Sequence, residues 1–361
     1  MHLPNNKNNK IIKKNTISVV VPVFNDEKRI ARCIQSVKNQ EHINLELIII
    51  DDGSKDASAQ IAESYALTDK RIKVLKSENK GPGSARNIGI SHSIGEFILF
   101  LDSDDYLRKN TLEYLLDKIK LPNVDLAIGD FLISNSLLND EIKSKHTLKF
   151  SKTVTLNKLK INDYISLYLE RPNKYPLFAY SWGRLFKASI IKEHKLFFNE
   201  SLWTFEDVDF NFRYLIWVDK VSFIKKNIMH HTIDNVSLSA SMRLPQDPSR
   251  FFGFQQALKS LSIYLEKMKI NNNFKHNISH AYVCYTIIQL IRLGFQYNRN
   301  NSKIILKLIR GCINDKMLQK SIGHYTPFSD DSKIIPFLIK AKQPLLLLCA
   351  CKIRGLTRYK K

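Results

Sequence analysis

Five short apolar stretches, rich in β-branched residues, recur between residues 18 and 130: SVVVPVF (18–24), LELIII (45–50), RIKVLK (71–76), EFILFL (96–101) and VDLAIGD (124–130). Segments of helical character separate them, at about 27–39, 56–66, 82–93 and 111–119. The apolar runs are mostly continuous rather than alternating, so the strands they form must be covered on both faces. Strands joined through helices in this order make an α/β fold, a mostly parallel central sheet with helices on both faces. Loops 24–26, 51–54, 77–83 and 102–106 then share the carboxyl edge of that sheet, where open α/β sheets bind ligands.

The polar residues on that edge have no hydrophobic reason to be there. EFILFL runs straight into Asp102, Asp104 and Asp105, and LELIII into Asp51, Asp52, Gly53 and Ser54. An isolated D-x-D is better explained as a cap for the helix near Asn110. Two strands that end in acidic loops are harder to explain by capping. A clustered oxygen site at a strand end suits a hard divalent cation, Mg²⁺ or Mn²⁺, between Asp102 and Asp104, holding a substrate's phosphates.

Beyond the sheet the pattern is less regular. Residues 131–160 are polar and uneven and take no assignment; helical signals return at 162–170, 182–193 and 205–217. After Pro248 the runs FFGFQQALKSLSIYLEKMKI, HAYVCYTIIQLIRLGF and SKIILKLIRGCI space their apolar residues by three and four, which predicts a separate helical domain over 246–361. Residues 1–15, rich in Asn and Lys with no apolar core, are expected to be a disordered lead rather than a signal peptide. The apolar stretch 334–351 is broken by Lys340, Lys342 and Pro344, short of the roughly 18 residues of a spanning helix. Five cysteines without metal-ligand spacing point to a reduced, cytoplasmic compartment.

Charge divides the chain further. Of a net charge of +22, residues 246–361 supply +15, from 20 Lys and Arg against 5 Asp and Glu. Such asymmetry points to an anionic partner, nucleic acid or inner-leaflet phospholipid, against the plainer reading of a solvated basic face. No G-x-G-x-x-G opens the first helix and no G-x-x-x-x-G-K-[ST] occurs, which removes the main support for a Rossmann dinucleotide enzyme or a P-loop NTPase.

A nucleotide diphosphate on this edge has candidate partners. Asp52 is placed to accept from a base or ribose, Phe24 to stack on the base and Arg86 to neutralise an acidic group. Glu206 and Asp207, opening a helix, offer a carboxylate as general base, although an acidic first turn also merely complements the helix dipole.

Six blocks of the sequence, in order, are TISVVVPVFND (16–26), IIDDGSKD (49–56), NKGPGSARNIG (79–89), FLDSDD (100–105), SWGRLF (181–186) and FEDVDF (205–210). Together they resemble the family 2 glycosyltransferases of GT-A fold, over about residues 16–240. The resemblance implies inverting transfer of a hexosyl or N-acetylhexosaminyl group from a nucleotide-sugar, usually a UDP-sugar, to an acceptor hydroxyl. It implies that Pro22, Phe24, Asn25 and Asn79 line the nucleotide pocket, Asp52 contacts uracil, and Arg86 sits near the nucleotide. Asp102, Ser103 and Asp104 would be the D-x-D, with Asp104 the direct metal ligand and Asp105 a bystander. Asp207 would be the base and Glu206 a supporting, acceptor-side residue. Phe24 replaces a Tyr found in many relatives. His230 and His231 stand where many have an aromatic and an Arg, which gives His231 and Ser237 a part in gripping the diphosphate. Trp182 and Trp203 would wall the acceptor sugar, unless they are simply core.

The expected activity is in bacterial polysaccharide, lipooligosaccharide or capsule synthesis. The acceptor would be a glycan or lipid-linked glycan, and the basic helical region would hold the enzyme on the cytoplasmic face of the inner membrane. The competing readings are a nucleic-acid-binding protein, which leaves the acidic loops unexplained, and a catalytically degenerate GT-A fold that binds nucleic acid, membrane or a sugar nucleotide.

Overall fold

The computed structural model describes residues 12–42, 44–135, 141–146, 150–170, 175–202, 204–232, 253–268, 274–327 and 331–359. The first half alternates as the sequence predicts: β1 (Lys13–Val23), α1 (Ile30–Lys38), β2 (Leu45–Asp51), α2 (Ser58–Thr68), β3 (Ile72–Lys76), α3 (Pro82–His92), β4 (Gly95–Phe100), β5 (Tyr106–Leu107) and α4 (Thr111–Ile119). Then follow β6 (Val124–Asn135), β7 (Glu141–His146), β8 (Val154–Asn157), α5 (Lys158–Glu170), β9 (Arg184–Lys187), α6 (Ala188–Glu193), α7 (Glu206–Leu215) and β10 (Lys220–Thr232). Strand β1 begins at Lys13, so the last three residues expected in the disordered lead are strand.

The sheet order is β3-β2-β1-β4-β9-β6-β10-β5, with β7 on β6 and β8 on β10. Strands β1 to β4, β6 and β10 run one way; β9 lies antiparallel between β4 and β6. The chain moves outward from β1 through β2 to β3 and returns to β4 on the other side of β1. That reversal opens a crevice between the carboxyl ends of β1 and β4.

Two residues show how the sequence permits this. Pro22 sits near the end of a central strand, where a missing N–H would usually break a ladder. Pairing of β1 with β4 ends at Val20–Phe100, and Val20 accepts from Leu101, so Pro22 faces the side where β4 has already turned away. Gly89 brings α3 down onto the sheet: a methyl group there would lie 2.2 Å from Val20 Cγ1.

The helix expected at 182–193 is instead a strand followed by a short helix, because Arg184–Lys187 fills the slot between β4 and β6. The unassigned 131–160 region contributes the end of β6 together with β7 and β8.

The C-terminal region is helical, as expected: α8 (Phe254–Lys267), α9 (Phe274–Gln296), α10 (Ser302–Ile313), α11 (Lys316–Ile322), α12 (Ile334–Lys340) and α13 (Pro344–Tyr359). It is not a detached unit. One continuous apolar core runs from the sheet into these helices. Ser260 of α8 donates to Asp209 of α7, Gln289 of α9 donates to Thr204, and the Tyr168 and Tyr285 hydroxyls bond across α5 and α9.

Candidate active site

The site assembles on the carboxyl edge around Arg86, one turn into α3. Pro82 starts that helix after Gly81, whose φ of 94° turns the chain sharply upward. Asp52 holds the turn: its two carboxylate oxygens accept the N–H groups of Lys80 and Gly81 at 3.0 and 2.7 Å. Asp52 is buried, and Asn79 beside it is exposed with φ of 49°. Asp52 thus shapes the floor of the crevice through the backbone of residues 80–81, a task its sequence position does not reveal.

Arg86 itself is almost wholly buried and carries three carboxylates. Its Nη2 donates to Asp102 Oδ1 at 2.7 Å, its Nη1 to Glu206 Oε1 at 3.3 Å, and Asp207 Oδ1 lies 3.4 Å from Nη1. The guanidinium therefore ties the loop after β4 to the first turn of α7. Burial opposes its charge, but Asp207, Asp102 and Glu206 outweigh that and hold it firmly protonated.

Glu206 and Asp207 open α7 after Phe205, a bulky residue in the left-handed region at φ of 65°. Such a conformation persists only where its surroundings impose it. Here the ring of Phe205 packs 4.4 Å from that of Tyr285 on α9 and 6.0 Å from that of Phe254 on α8. The C-terminal helices thus brace the turn that presents the carboxylate pair. Ser181 donates to Asp207 Oδ1 at 2.7 Å.

The recessed position of Glu206 and its neighbour Asp207 push its carboxyl up to about 7, with Arg86 pulling the other way. A carboxyl held above its ordinary 4.5 favours the fold while protonated; that contribution is complete below 4.5 and is lost as pH rises through about 7. Glu206→Gln keeps the neutral form at every pH. Its melting temperature should therefore gain on the wild type between about pH 4.5 and 7 and then level off; a constant difference across that range would rule out this titration.

The acidic loop after β4 is built in two layers. Asp102 and Asp104 are partly exposed, whereas Asp105 is fully buried. Asp105 accepts from the backbone N–H of Thr232 at 2.8 Å and lies 3.2 Å from His231 Nδ1, which fastens the end of β10 to the loop. It is no bystander. Burial works against a charged His231, but Asp105, Asp104 and Asp102 raise it to about 9. Asp104 is pushed well up by its recessed position and by Asp105 and Asp102. One oxygen from each of the three carboxylates lies within 4.8 Å of the others. An all-oxygen donor set with crowded negative charge fits a hard divalent cation, with Asp102 and Asp104 as the accessible pair.

Other expected site residues take different places. Ser103 donates to Asp26 Oδ2, at 2.7 Å, in a cluster with Arg29. Phe24 is 37% exposed at the rim, as a stacking surface requires, and Asn25 at φ of 51° accepts from Lys55 N–H. Pro22 is buried beneath them. Trp182 is buried and stacks with Tyr180 and His231, at centroid distances of 4.5 and 4.9 Å. It supports His231 and offers no open wall to a sugar. His230 stacks on Tyr106. Trp203 and Ser237 lie outside the described residues.

A crevice at a sheet reversal, an open pair of aspartates on one side and a buried arginine leading to a second carboxylate pair make up the site, and its acidic edge suits a phosphate-bearing ligand held through a cation. Residues 18–193 match the model of glycosyl transferase family 2 and form a domain of that family. It is 34% identical to the EpsH protein of Bacillus subtilis (strain 168) over 227 residues, 60% of each chain. It is 24% identical over 342 residues to the uncharacterized glycosyltransferase EpsJ of the same organism, covering 95% of this chain and 94% of EpsJ. Among solved structures, S. aureus TarS 1–349 superposes with a TM-score of 0.63 at 19% identity, covering 96% of this chain and 92% of TarS 1–349. That likeness of fold includes the helical region. TarS 1–349 has also been solved in complex with UDP and with UDP-GlcNAc. No helix among the described residues is long and apolar enough to cross a membrane.

Proposed function

We propose that the protein transfers a sugar from a UDP-sugar to an acceptor hydroxyl with inversion, in the synthesis of a bacterial surface glycan. The observation that carries this reading is the Arg86 bridge, which places the D-x-D aspartate and the Glu206–Asp207 pair on opposite sides of one guanidinium. The donor class is supported by the nucleotide complexes of TarS, and the rim position of Phe24 suits a stacked base.

In this mechanism Asp207 takes the proton of the acceptor hydroxyl as its oxygen bonds to the anomeric carbon. The bond from that carbon to the diphosphate oxygen breaks on the opposite face, and the electron pair leaves with UDP. Ser181 and Arg86 both meet Asp207 at Oδ1, which leaves Oδ2 for the proton. Asp102 and Asp104 would hold a divalent cation, which when bound neutralises charge on the leaving diphosphate. His231, charged below about 9, stands beside the same loop and could add to that neutralisation. The acceptor is proposed to be a glycan or lipid-linked glycan at the cytoplasmic face of the inner membrane.

A panel of nucleotide-sugars tested by thermal shift with Mn²⁺ or Mg²⁺ examines the donor assignment. One UDP-sugar should raise the melting temperature, by an amount equivalent to about 2.7 kcal/mol at a hundredfold excess over its Kd. Asp104→Ala should lose the metal-dependent part of the shift. No response to any nucleotide-sugar, with or without metal, would defeat the reading.

A further inference from the structure

Sixteen large apolar side chains are notably exposed among the described residues, and five of them fall within the twenty positions from Ile334 to Ile353. On α12, Ile334 and Phe337 are 64% and 68% exposed, while Ile335, Leu338 and Ile339 are buried. On α13, Leu345, Leu346 and Ile353 are 60%, 58% and 65% exposed, while Leu347, Leu348 and Cys351 face inward. A spacing of three on α12, and of one, seven and eight on α13, puts the exposed residues on one side of each helix, away from the side that packs inward. The inner stripes are already used: α13 packs on α9, α10 and α12. The outer ones have apolar side chains and no described neighbour to cover them.

Charge decides what could cover them. Residues 332–361 contain eight Lys and Arg and no Asp or Glu. Lys333 and Lys340 lie on the exposed side of α12, Lys342 in the turn between the helices, and Lys352 beside Ile353 on α13. A second copy of this chain would bring one such cationic face against another. A surface of dense negative charge over an apolar interior complements both features, with lysines at the headgroups and apolar side chains below them.

We propose that the outer faces of α12 and α13 are a docking surface for an anionic phospholipid bilayer, entered by Ile334, Phe337, Leu345, Leu346 and Ile353. This deepens the membrane location given above and rests on that reading for the kind of partner. It assigns binding to apolar insertion as well as charge, so it differs from a purely electrostatic patch in its response to salt and to lost side chains.

Flotation of the full chain with vesicles tests it. Vesicles of phosphatidylglycerol and phosphatidylethanolamine should carry the protein up, and vesicles of phosphatidylcholine alone should carry much less. The triple variant F337S/L345S/L346S, and separately K333E/K340E/K342E, should each weaken binding by about tenfold or more, with unchanged melting temperature. Wild type that stays unbound with anionic vesicles, or variants that float as well as wild type, would overturn the proposal. Equal flotation on phosphatidylcholine would overturn its charge component, and a wild-type dimer that the serine variant converts to monomer would reassign the face to self-association. UDP-sugar binding measured without vesicles reports on the transferase reading alone. Lost flotation with intact donor binding therefore counts only against the docking surface.

Discussion

Asp207→Asn is expected to lower the turnover of sugar transfer by roughly 10²- to 10⁴-fold, the usual contribution of a positioned general base, while UDP affinity changes by less than about threefold. The split follows from the geometry. Asn keeps an oxygen where Ser181 donates and keeps nearly the same volume at the start of α7, so the turn braced by Phe205 should survive. It cannot accept the acceptor's proton at a useful rate. Glu206→Gln should cost far less, because Glu206 Oε1 is tied to Arg86 and Gln keeps an oxygen there, whereas Oδ2 of Asp207 stays open to the acceptor's proton. Single-turnover rates with the donor identified by thermal shift, alongside UDP titration, separate the two effects. Near-normal turnover in Asp207→Asn would move the base to Glu206; equal loss of UDP affinity and turnover would make Asp207 a donor-binding residue.

What the sequence could say about this molecule depended on how each element is buried. Strands β1, β2 and β4 are covered on both faces, so burial writes itself as unbroken apolar runs, and their order gave the sheet edge directly. Strand β9 is only four residues, RLFK, and it feeds α6 without a break, so its pattern merges with the helix that follows. Strand β10 carries Lys225 and Lys226 in mid-run, and its register with β6 shifts at three places, which hides its period. The docking of the helical region was equally hidden, since no spacing in α9 tells that Tyr285 will meet Phe205 some eighty residues earlier.

The site divides in the same way. Acidic residues at strand ends were visible because nothing in a core explains them, and the structure does gather Asp102, Asp104, Glu206 and Asp207 around one recess. Which of them touch a ligand and which hold the loops was not visible. Asp52, Asp105 and Ser103 all carry plausible ligand chemistry, yet their described partners are backbone N–H groups, His231 and Asp26. Trp182 likewise presents an aromatic face in the sequence that Tyr180 and His231 cover in the fold. These are long-range pairings, and a local pattern carries no record of them. The FLDSDD and SWGRLF blocks contained Asp105 and Ser181 without assigning either a task.

Arg86 is the position where fold and chemistry are hardest to separate, and Arg86→Met should damage both. Its side chain is 4% exposed, and removing it leaves Asp102, Glu206 and Asp207 facing one another without their shared counter-charge. Breaking a buried charge pair on one side costs about 3–5 kcal/mol, because the remaining charge stays desolvated. The deficit should narrow at lower pH, since protonating Glu206 removes part of the repulsion that Met cannot relieve. Arg86→Lys keeps the charge, but a compact ammonium cannot bond Asp102 and Glu206 through separate nitrogens as the guanidinium fork does. It should recover stability more fully than transfer. In the double variant Arg86→Met with Asp102→Asn, one uncompensated carboxylate is gone, so part of the stability should return while transfer stays low. Chemical denaturation of the four proteins at two pH values, with turnover measured in parallel, resolves these contributions. A loss in Arg86→Met below about 1 kcal/mol and independent of pH would mean that water already screens the three carboxylates, and Arg86 would no longer count as the joint between the donor loop and the base.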